Sequence, residues 1–156
     1  MYGMSNAAYP GPSEPMIGAQ LRIAAEVTHR VLLDRLRAAG YGDLRVAHFA
    51  LFRFPGPQGL RPTELAVHVG LSKQALNPLL NELEELGYLE RRASEEDRRQ
   101  RVLKLTPRGL SLAAKIKHIL EGMEQEIASR IGQRRFDQTR RAIVEITEIF
   151  RDEAAS

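Results

Sequence analysis

The apolar positions between residues 73 and 86 recur at steps of three and four, which predicts an amphipathic helix. At about 100° per residue, five leucines share one side of this helix: Leu76, Leu79, Leu80, Leu83 and Leu86. The opposite side carries Gln74, Asn77, Pro78 and Asn81. A solvated helix face usually carries pairs of opposite charges. Uncharged amides and an interior proline therefore indicate that the first two turns of this helix face something other than water.

The spacing of apolar residues along the rest of the sequence predicts a mainly α chain with one small β-hairpin. The predicted helices cover residues 16–38, 44–52 (with Asp43 as its cap), a short segment starting at Pro62, 73–86, 107–131, and a last helix through 136–150. Two short extended runs, 88–92 and 101–105, predict the hairpin, and Leu60 and Arg61 could form only a stub of strand. Residues 1–14 contain glycines and prolines without an apolar period, so we expect a flexible arm there.

The segment before the amphipathic helix completes a pattern typical of a helix-turn-helix. Ala66 is small where two helices would cross, and Gly70 permits the positive φ of a three-residue turn. Leu71 fills the junction between the helices, and Ser72 is a good N-cap. The exposed donors and acceptors of Ser72, Lys73, Gln74 and Asn77 suit phosphates and base edges. The alternative is a generic helical hairpin with a glycine turn.

Composition limits the class of protein further. The 156 residues suit one domain, with 43% hydrophobic and 28% charged residues. The absence of cysteine excludes disulfides, thiolate zinc sites and thiol redox sensing. No apolar run approaches the roughly 18 residues of a membrane span, and the N-terminus lacks the pattern of a secretory signal. We therefore expect a cytoplasmic protein without membrane association.

The position of the charges is more informative than the net charge of +3. Between residues 91 and 108, seven basic residues stand against three acidic ones. The basic residues are Arg91, Arg92, Arg98, Arg99, Arg101, Lys104 and Arg108. This basic patch covers the predicted hairpin, which favours a polyanionic partner such as double-stranded DNA.

Enzyme functions find no support in the sequence. The four histidines are scattered singly, and no zinc-protease, nucleophile-elbow, phosphate-loop or dinucleotide-binding motif occurs. We expect no catalytic residue, no metal and no cofactor.

From Met16 to the C-terminus the chain resembles the MarR family of bacterial winged-helix repressors. The resemblance rests on four motifs: LRPTELA at 60–66, GLSKQAL at 70–76, LEELGYLER at 83–91 and DRRQRVLKLTPRG at 97–109. The last motif is similar to the family's wing signature, which has an Asp, an Arg two residues later, and Leu-Thr closing the second strand. The resemblance implies that residues 15–156 form a single domain, with a winged helix-turn-helix core at 44–106.

The resemblance also implies the roles of particular parts. Flanking helices at 16–39 and 107–153 would intertwine in a homodimer, whereas a monomer with an enlarged core is the alternative. The Arg that matches Arg99 contacts the minor groove or the adjacent backbone in the family, and Asp97 helps to hold the wing arginines, Arg98, Arg99 and Arg101. His48, Phe49 and Phe52 could line a cleft for the small, often aromatic, acidic effectors of the family, or could simply be core.

The predicted function is sequence-specific DNA binding by a dimeric transcriptional repressor, released by a small effector. The recognition helix would present Ser72, Lys73, Gln74, Asn77, Pro78 and Asn81 to a pseudo-palindromic operator. Pro78 either sets specificity through a bend and an apolar contact, or is tolerated drift. A winged-helix module that binds another protein, without DNA contacts, is the competing function.

Overall fold

The computed structural model describes residues 16–53, 59–94 and 99–154. Its elements are α1 (Ile17–Ala38), α2 (Val46–Phe49) followed by a 3-10 turn (Ala50–Arg53), α3 (Pro62–Val69), α4 (Lys73–Glu85), β1 (Leu89–Ala93), β2 (Arg101–Leu105), α5 (Pro107–Ile131) and α6 (Gln133–Ala154). The predicted fold class, mainly helical with an antiparallel hairpin, is confirmed. The predicted flexible arm, residues 1–14, lies outside the described residues.

The core forms around the leucine side of α4, as the periodicity predicted. Leu76, Leu80 and Leu83 are fully buried, whereas Leu79 and Leu86 pack against the core from its edge. The other core residues come from α1, α2, α3, the hairpin and α5: Leu32, Leu33, Leu36, Phe49, Leu65, Tyr88, Leu103 and Leu112 are among them. Burial of several large side chains, each contributing about 1.5–3 kcal/mol, holds the short helices around α4.

Three local expectations were wrong. The second helix has only one α-helical turn, because the chain tightens into a 3-10 turn after Phe49. Asp43 does not cap this helix, since its carboxylate binds Tyr88 and Arg108 instead. Leu71 does not fill the helix junction, because 36% of its surface remains exposed.

The start of α5 is fixed to the junction between α4 and β1. Thr106 caps α5 by accepting a hydrogen bond from the Gly109 N–H at 3.1 Å, while its hydroxyl donates to the carbonyl of Gly87. The helix approaches the chain so closely that a Cβ at Gly109 would lie 2.1 Å from the Tyr88 carbonyl oxygen. Only glycine fits there. The long helix that leaves the hairpin is thus rigidly connected to the end of α4.

The Tyr88 side chain closes this junction from within. Its hydroxyl donates to Asp43 at 2.7 Å and accepts from Arg108 at 3.1 Å, and the Arg108 guanidinium lies 4.4 Å from the ring centre. Burial, and then the hydrogen bond to Asp43, raises the pKa of Tyr88 to about 12. The loop before α2, the hairpin and α5 meet at this one side chain.

The Tyr88 phenol is expected to stay protonated until the pH approaches about 12. Because its pKa is raised on folding, its contribution to stability is complete below the ordinary value of 10.0 and is lost as the pH rises from there through about 12. Tyrosinate absorbance during a pH titration, compared between the native chain and a Tyr88→Phe variant, measures this. A difference spectrum that titrates near pH 10 would contradict the predicted environment.

Candidate nucleic-acid interface

Helices α3 and α4 are joined by the three-residue turn that the sequence predicted. Gly70 takes a φ of 67° in the left-handed region, and its neighbour Leu71 donates its N–H to the Ala66 carbonyl at 3.1 Å. Ser72 then caps α4 by accepting from the Ala75 N–H at 3.1 Å. This geometry exposes the N-terminal end of α4, where free N–H groups and the helix dipole favour a phosphate.

The first two turns of α4 present polar side chains to the surface. Ser72, Lys73, Gln74 and Pro78 are exposed and Asn77 is half-buried. The helix continues without a break through Pro78 to Glu85. A continuous helix with exposed donors and acceptors at its N-terminal half is the form that fits into a DNA major groove.

Two of the three acidic residues of α4 are bound by basic partners from neighbouring segments. Glu82 binds the Arg45 guanidinium and lies 3.0 Å from Nε2 of the buried His48. Glu84 forms an ion pair with Arg91 of β1. These contacts neutralise carboxylates that would otherwise repel a phosphate backbone.

Hydrogen bonds from both partners lower the pKa of Glu82, with His48 the larger cause and Arg45 the next. The carboxylate is therefore stabilised in its charged form, and the contact persists at neutral pH.

Asn81 differs from the other residues predicted to face DNA. Its Oδ1 accepts a hydrogen bond from Arg91 at 3.0 Å, so the amide is partly used to hold the hairpin against the helix. Its side chain is still exposed. A DNA contact by Asn81 therefore remains a prediction, whereas its hydrogen bond between α4 and β1 is observed.

The hairpin forms a wing beside α4. Strands β1 and β2 pair antiparallel from Leu89↔Leu105 to Ala93↔Arg101, and Leu60 adds the predicted stub of strand by bridging to Leu103. Arg99 and Arg101 are exposed towards the far end of the wing. The predictions for Asp97 and Arg98 fall outside the described residues.

The three residues predicted to line an effector pocket are buried. His48 is 1% exposed, Phe49 8% and Phe52 9%. Phe52 packs edge-on against Tyr88, with ring centres 5.9 Å apart. Phe49 contacts His29, with ring centres 6.2 Å apart, and His29 lines an open cavity of about 300 Å³. Glu26, Arg30, Leu33 and Val46 form the rest of its wall.

The contacts of His48, Arg45 and Arg91 with α4 were not predicted. The sequence contains one local signal, since His48 follows Arg45 by three residues, as the third residue of a capping box follows its N-cap. The contacts of Arg45 and His48 with Glu82 join residues 37 and 34 positions apart, and the contact of Arg91 with Glu84 joins residues 7 positions apart. The periodic pattern of apolar residues along the sequence does not reveal such tertiary pairs.

Metal sites and membrane spans are both absent from the described ranges. Across those ranges, no group of three His, Asp or Glu side chains could hold a metal ion. In the same parts of the chain, no helix has the length and apolar character needed to cross a bilayer.

Comparison with known sequences finds similarity over part of the chain. Residues 43–100 match the family model described as MarR family. An HTH-type transcriptional repressor of Mycobacterium tuberculosis is 33% identical over 73 residues, which are 47% of this chain and 52% of the relative. The chain thus spans about half the length of the curated relatives it matches. These names are those of transcriptional regulators and not of enzymes.

Solved structures extend the similarity to most of the chain. The sequence of Streptococcus pneumoniae FabT, whose structure was solved in complex with DNA, is 20% identical to this chain. The match covers 87% of this chain and 96% of the FabT chain, with a TM-score of 0.75. A Mycobacterium tuberculosis MarR family protein in complex with salicylic acid is 24% identical, covers 86% and 98%, and has a TM-score of 0.64. At these identities the likeness establishes the fold.

Proposed function

We propose that this protein is a transcriptional regulator that binds double-stranded DNA as a homodimer, because residues 43–100 match the family model described as MarR family. More specifically, we propose a repressor that recognises a pseudo-palindromic operator and is released by a small aromatic or acidic effector. In this proposal residues 15–156 act as one domain. Its winged helix-turn-helix core lies at 44–106, and the dimerisation helices lie at 16–39 and 107–153.

One observation carries the DNA-binding proposal. The exposed N-terminal half of α4 contains Lys73, Gln74 and Asn77 without any acidic residue, whereas Glu82 and Glu84 are held by basic partners. A protein-binding winged helix would need an apolar or acidic face at this position. The amides of Gln74 and Asn77 can bind adenine bidentately in the major groove, and Lys73 can contact phosphate.

The surfaces of α1, α5 and α6 support the homodimer. Among the described side chains of α6 none is buried, and its apolar residues Ile143, Val144, Ile149 and Phe150 are 43–64% exposed. Exposed apolar residues also lie on α1 and α5: Ile17, Ile23, Val27, Leu120, Ile127 and Ile131. Apolar surface of this extent on three adjoining elements indicates an interface.

The effector proposal rests on the cavity beside Phe49. The His29 imidazole and the Arg30 guanidinium in its wall would attract a carboxylate, while Leu33 and Val46 offer apolar contacts to a ring. The Glu26 carboxylate in the same wall forms an ion pair with Arg22. The contact between His29 and Phe49 connects this cavity to the predicted cluster of His48, Phe49 and Phe52. A ligand here would lie next to α2, one element away from α4.

Selection of bound sequences from random duplex DNA tests the proposed function directly. We expect enrichment of a site with two related halves whose centres are about 10 base pairs, one helical turn, apart. Footprinting on the region upstream of the protein's own gene then shows whether such a site occurs there. Recovery of no preferred sequence would favour the protein-interaction function.

Arg99→Ala is expected to weaken binding to operator and to unrelated DNA by similar factors. The wing contact is largely electrostatic, so the slope of log affinity against log salt should fall by about 0.9 for each phosphate that the variant no longer neutralises. Arg22→Ala on α1 removes the same charge outside the proposed winged helix-turn-helix core and serves as the control, provided that the variant remains dimeric. An unchanged slope in the Arg99 variant would contradict the assignment of Arg99 to DNA.

A further inference from the structure

His48 uses both nitrogens of a buried ring to join two helices. Its Nδ1 accepts the backbone N–H of Arg45 at 3.2 Å, and its Nε2 lies 3.0 Å from Oε2 of Glu82. An accepting Nδ1 carries no proton, so in the neutral ring Nε2–H donates to Glu82. The ring is 1% exposed, whereas the Glu82 side chain that it contacts is 41% exposed, so the imidazole is fixed in the core and the carboxylate lies at its edge.

The position explains why a histidine is suited to this role. His48 stands three residues after the N-cap of α2, where a Glu or Gln side chain commonly reaches back to the N-cap N–H. A glutamate at this position would satisfy the cap, but it has no proton to donate to Glu82. The imidazole has an acceptor and a donor on opposite sides, so it caps α2 and contacts α4 at the same time.

Glu82 and Glu84 lie on opposite flanks of the exposed face of α4. They are two residues apart and therefore about 200° apart around the helix axis, with Gln74 and Pro78 on the exposed face between them. Arg45 and His48 hold Glu82 from α2, and Arg91 holds Glu84 from the wing. Rotation of α4 in either direction would pull one carboxylate away from its partner.

We propose that His48 is a positioning residue for DNA recognition, which sets the rotation of α4 about its axis through Glu82. The inference rests on the proposed function, because it concerns how α4 meets base edges. A rotation of about 10° moves a side-chain end at the helix surface by about 1 Å. Such a shift disturbs bidentate hydrogen bonds to bases, whereas contacts to the phosphates tolerate it better.

Two isosteric variants separate the two contacts of His48. In His48→Asn the amide oxygen takes the place of Nδ1 and can accept the Arg45 N–H, but the side chain is too short for Glu82. In His48→Gln the amide nitrogen takes the place of Nε2 and can donate to Glu82. We expect the ratio of operator affinity to non-specific affinity to fall roughly tenfold in the Asn variant, about the value of one base contact, and to be largely retained in the Gln variant.

A second pair of variants leaves the core intact. Glu82→Ala and Glu85→Ala remove the same charge from the same helix, yet only Glu82 is held by His48 and Arg45. Both variants should bind non-specific DNA slightly more tightly, because a negative charge near the phosphates is removed. Only Glu82→Ala should reduce the affinity ratio, again roughly tenfold.

The outcomes distinguish failure of the positioning role from failure of the proposed function. A native chain that binds all sequences equally contradicts the proposed function, and the positioning role with it. A native chain that discriminates, beside Glu82→Ala and His48→Asn variants that discriminate equally well, contradicts the positioning role alone. Equal reduction of the ratio in the Asn and Gln variants would also overturn it, since His48 would then act through packing.

Discussion

Aspartate at both Ile143 and Phe150 is expected to convert the protein to monomers and to reduce operator affinity by roughly 10²–10⁴-fold, the gain that two linked binding sites provide. The two side chains are seven residues apart, so they share one face of α6, and they are 43% and 57% exposed. Two charges on this face would have to be desolvated in any interface, without a partner for either. Sedimentation equilibrium measures the monomer, and a DNA titration measures the affinity.

A matched variant on the other side of the helix controls for general effects. Gln138→Asp with Glu145→Asp places aspartates at the same spacing about 140° away around the axis. It adds one negative charge where the interface variant adds two, and it should remain dimeric. Unfolding of the isolated monomers should show little change, because Ile143 and Phe150 are exposed in the single chain. A native chain that sediments as a monomer would favour the alternative in which these helices only enlarge a core.

The sequence predicted those elements best whose limits are set by nearby residues. Helix α5 begins at Pro107 after the Thr106 cap and ends at Ile131 before Gly132, as its local signals indicated. Strand β2 has the predicted bounds, and β1 begins one residue later than predicted. Caps, prolines and glycines act within one turn of chain, so one sequence is sufficient to locate them.

The second helix shows where local sequence signals are insufficient. Asp43 has the right position and chemistry to cap it, yet a tyrosine and an arginine far along the chain, Tyr88 and Arg108, take its carboxylate. The capping contact comes from His48 instead. Long-range competition for one polar group decides the local structure, and no local pattern contains that information.

The candidate interface likewise has a part that local sequence patterns predict and a part that they do not. The exposed face of α4 follows from helical periodicity alone, which is why Ser72, Lys73, Gln74 and Pro78 are on the surface as predicted. The supports of that face depend on tertiary contacts, such as the one between Arg45 and Glu82. Sequence therefore indicates which residues could read DNA, while the structure shows what holds them in place.

The role of Pro78, either in specificity or as tolerated drift, stays a prediction. It has no N–H to donate to the Gln74 carbonyl, and an interior proline costs about 3 kcal/mol in an ordinary helix. Helix α4 nevertheless runs unbroken from Lys73 to Glu85, with its termini fixed by the Ser72 cap and by the contacts of Glu82 and Glu84. The contacts of Glu82 and Glu84 hold the part of α4 after Pro78, so a bend at the proline would change the direction of the first two turns.

Gln74→Ala is therefore expected to relax the preference at one or two base positions in each half-site. Each bidentate contact is worth roughly 1–3 kcal/mol of discrimination, while phosphates supply the non-specific affinity, which should barely change. Pro78→Ala should stabilise the fold, because it restores a backbone donor, yet alter which operator is preferred if the proline directs Gln74. Selection from random duplexes with both variants, and chemical denaturation of each, measures the two effects separately.

Lys73→Ala provides the contrast that identifies the reading surface. It lies beside Gln74 in the same exposed turn, but a lysine that contacts phosphate contributes equally on every sequence. Its removal should therefore weaken all binding without changing the selected site, whereas Gln74→Ala should change the site without weakening all binding. Because the two halves of a homodimer are equivalent, the altered positions must appear symmetrically. If Gln74→Ala and Pro78→Ala both return the parental site with unaltered base preferences, then the polar face of α4 does not read bases, and the protein-interaction function becomes the better explanation for it.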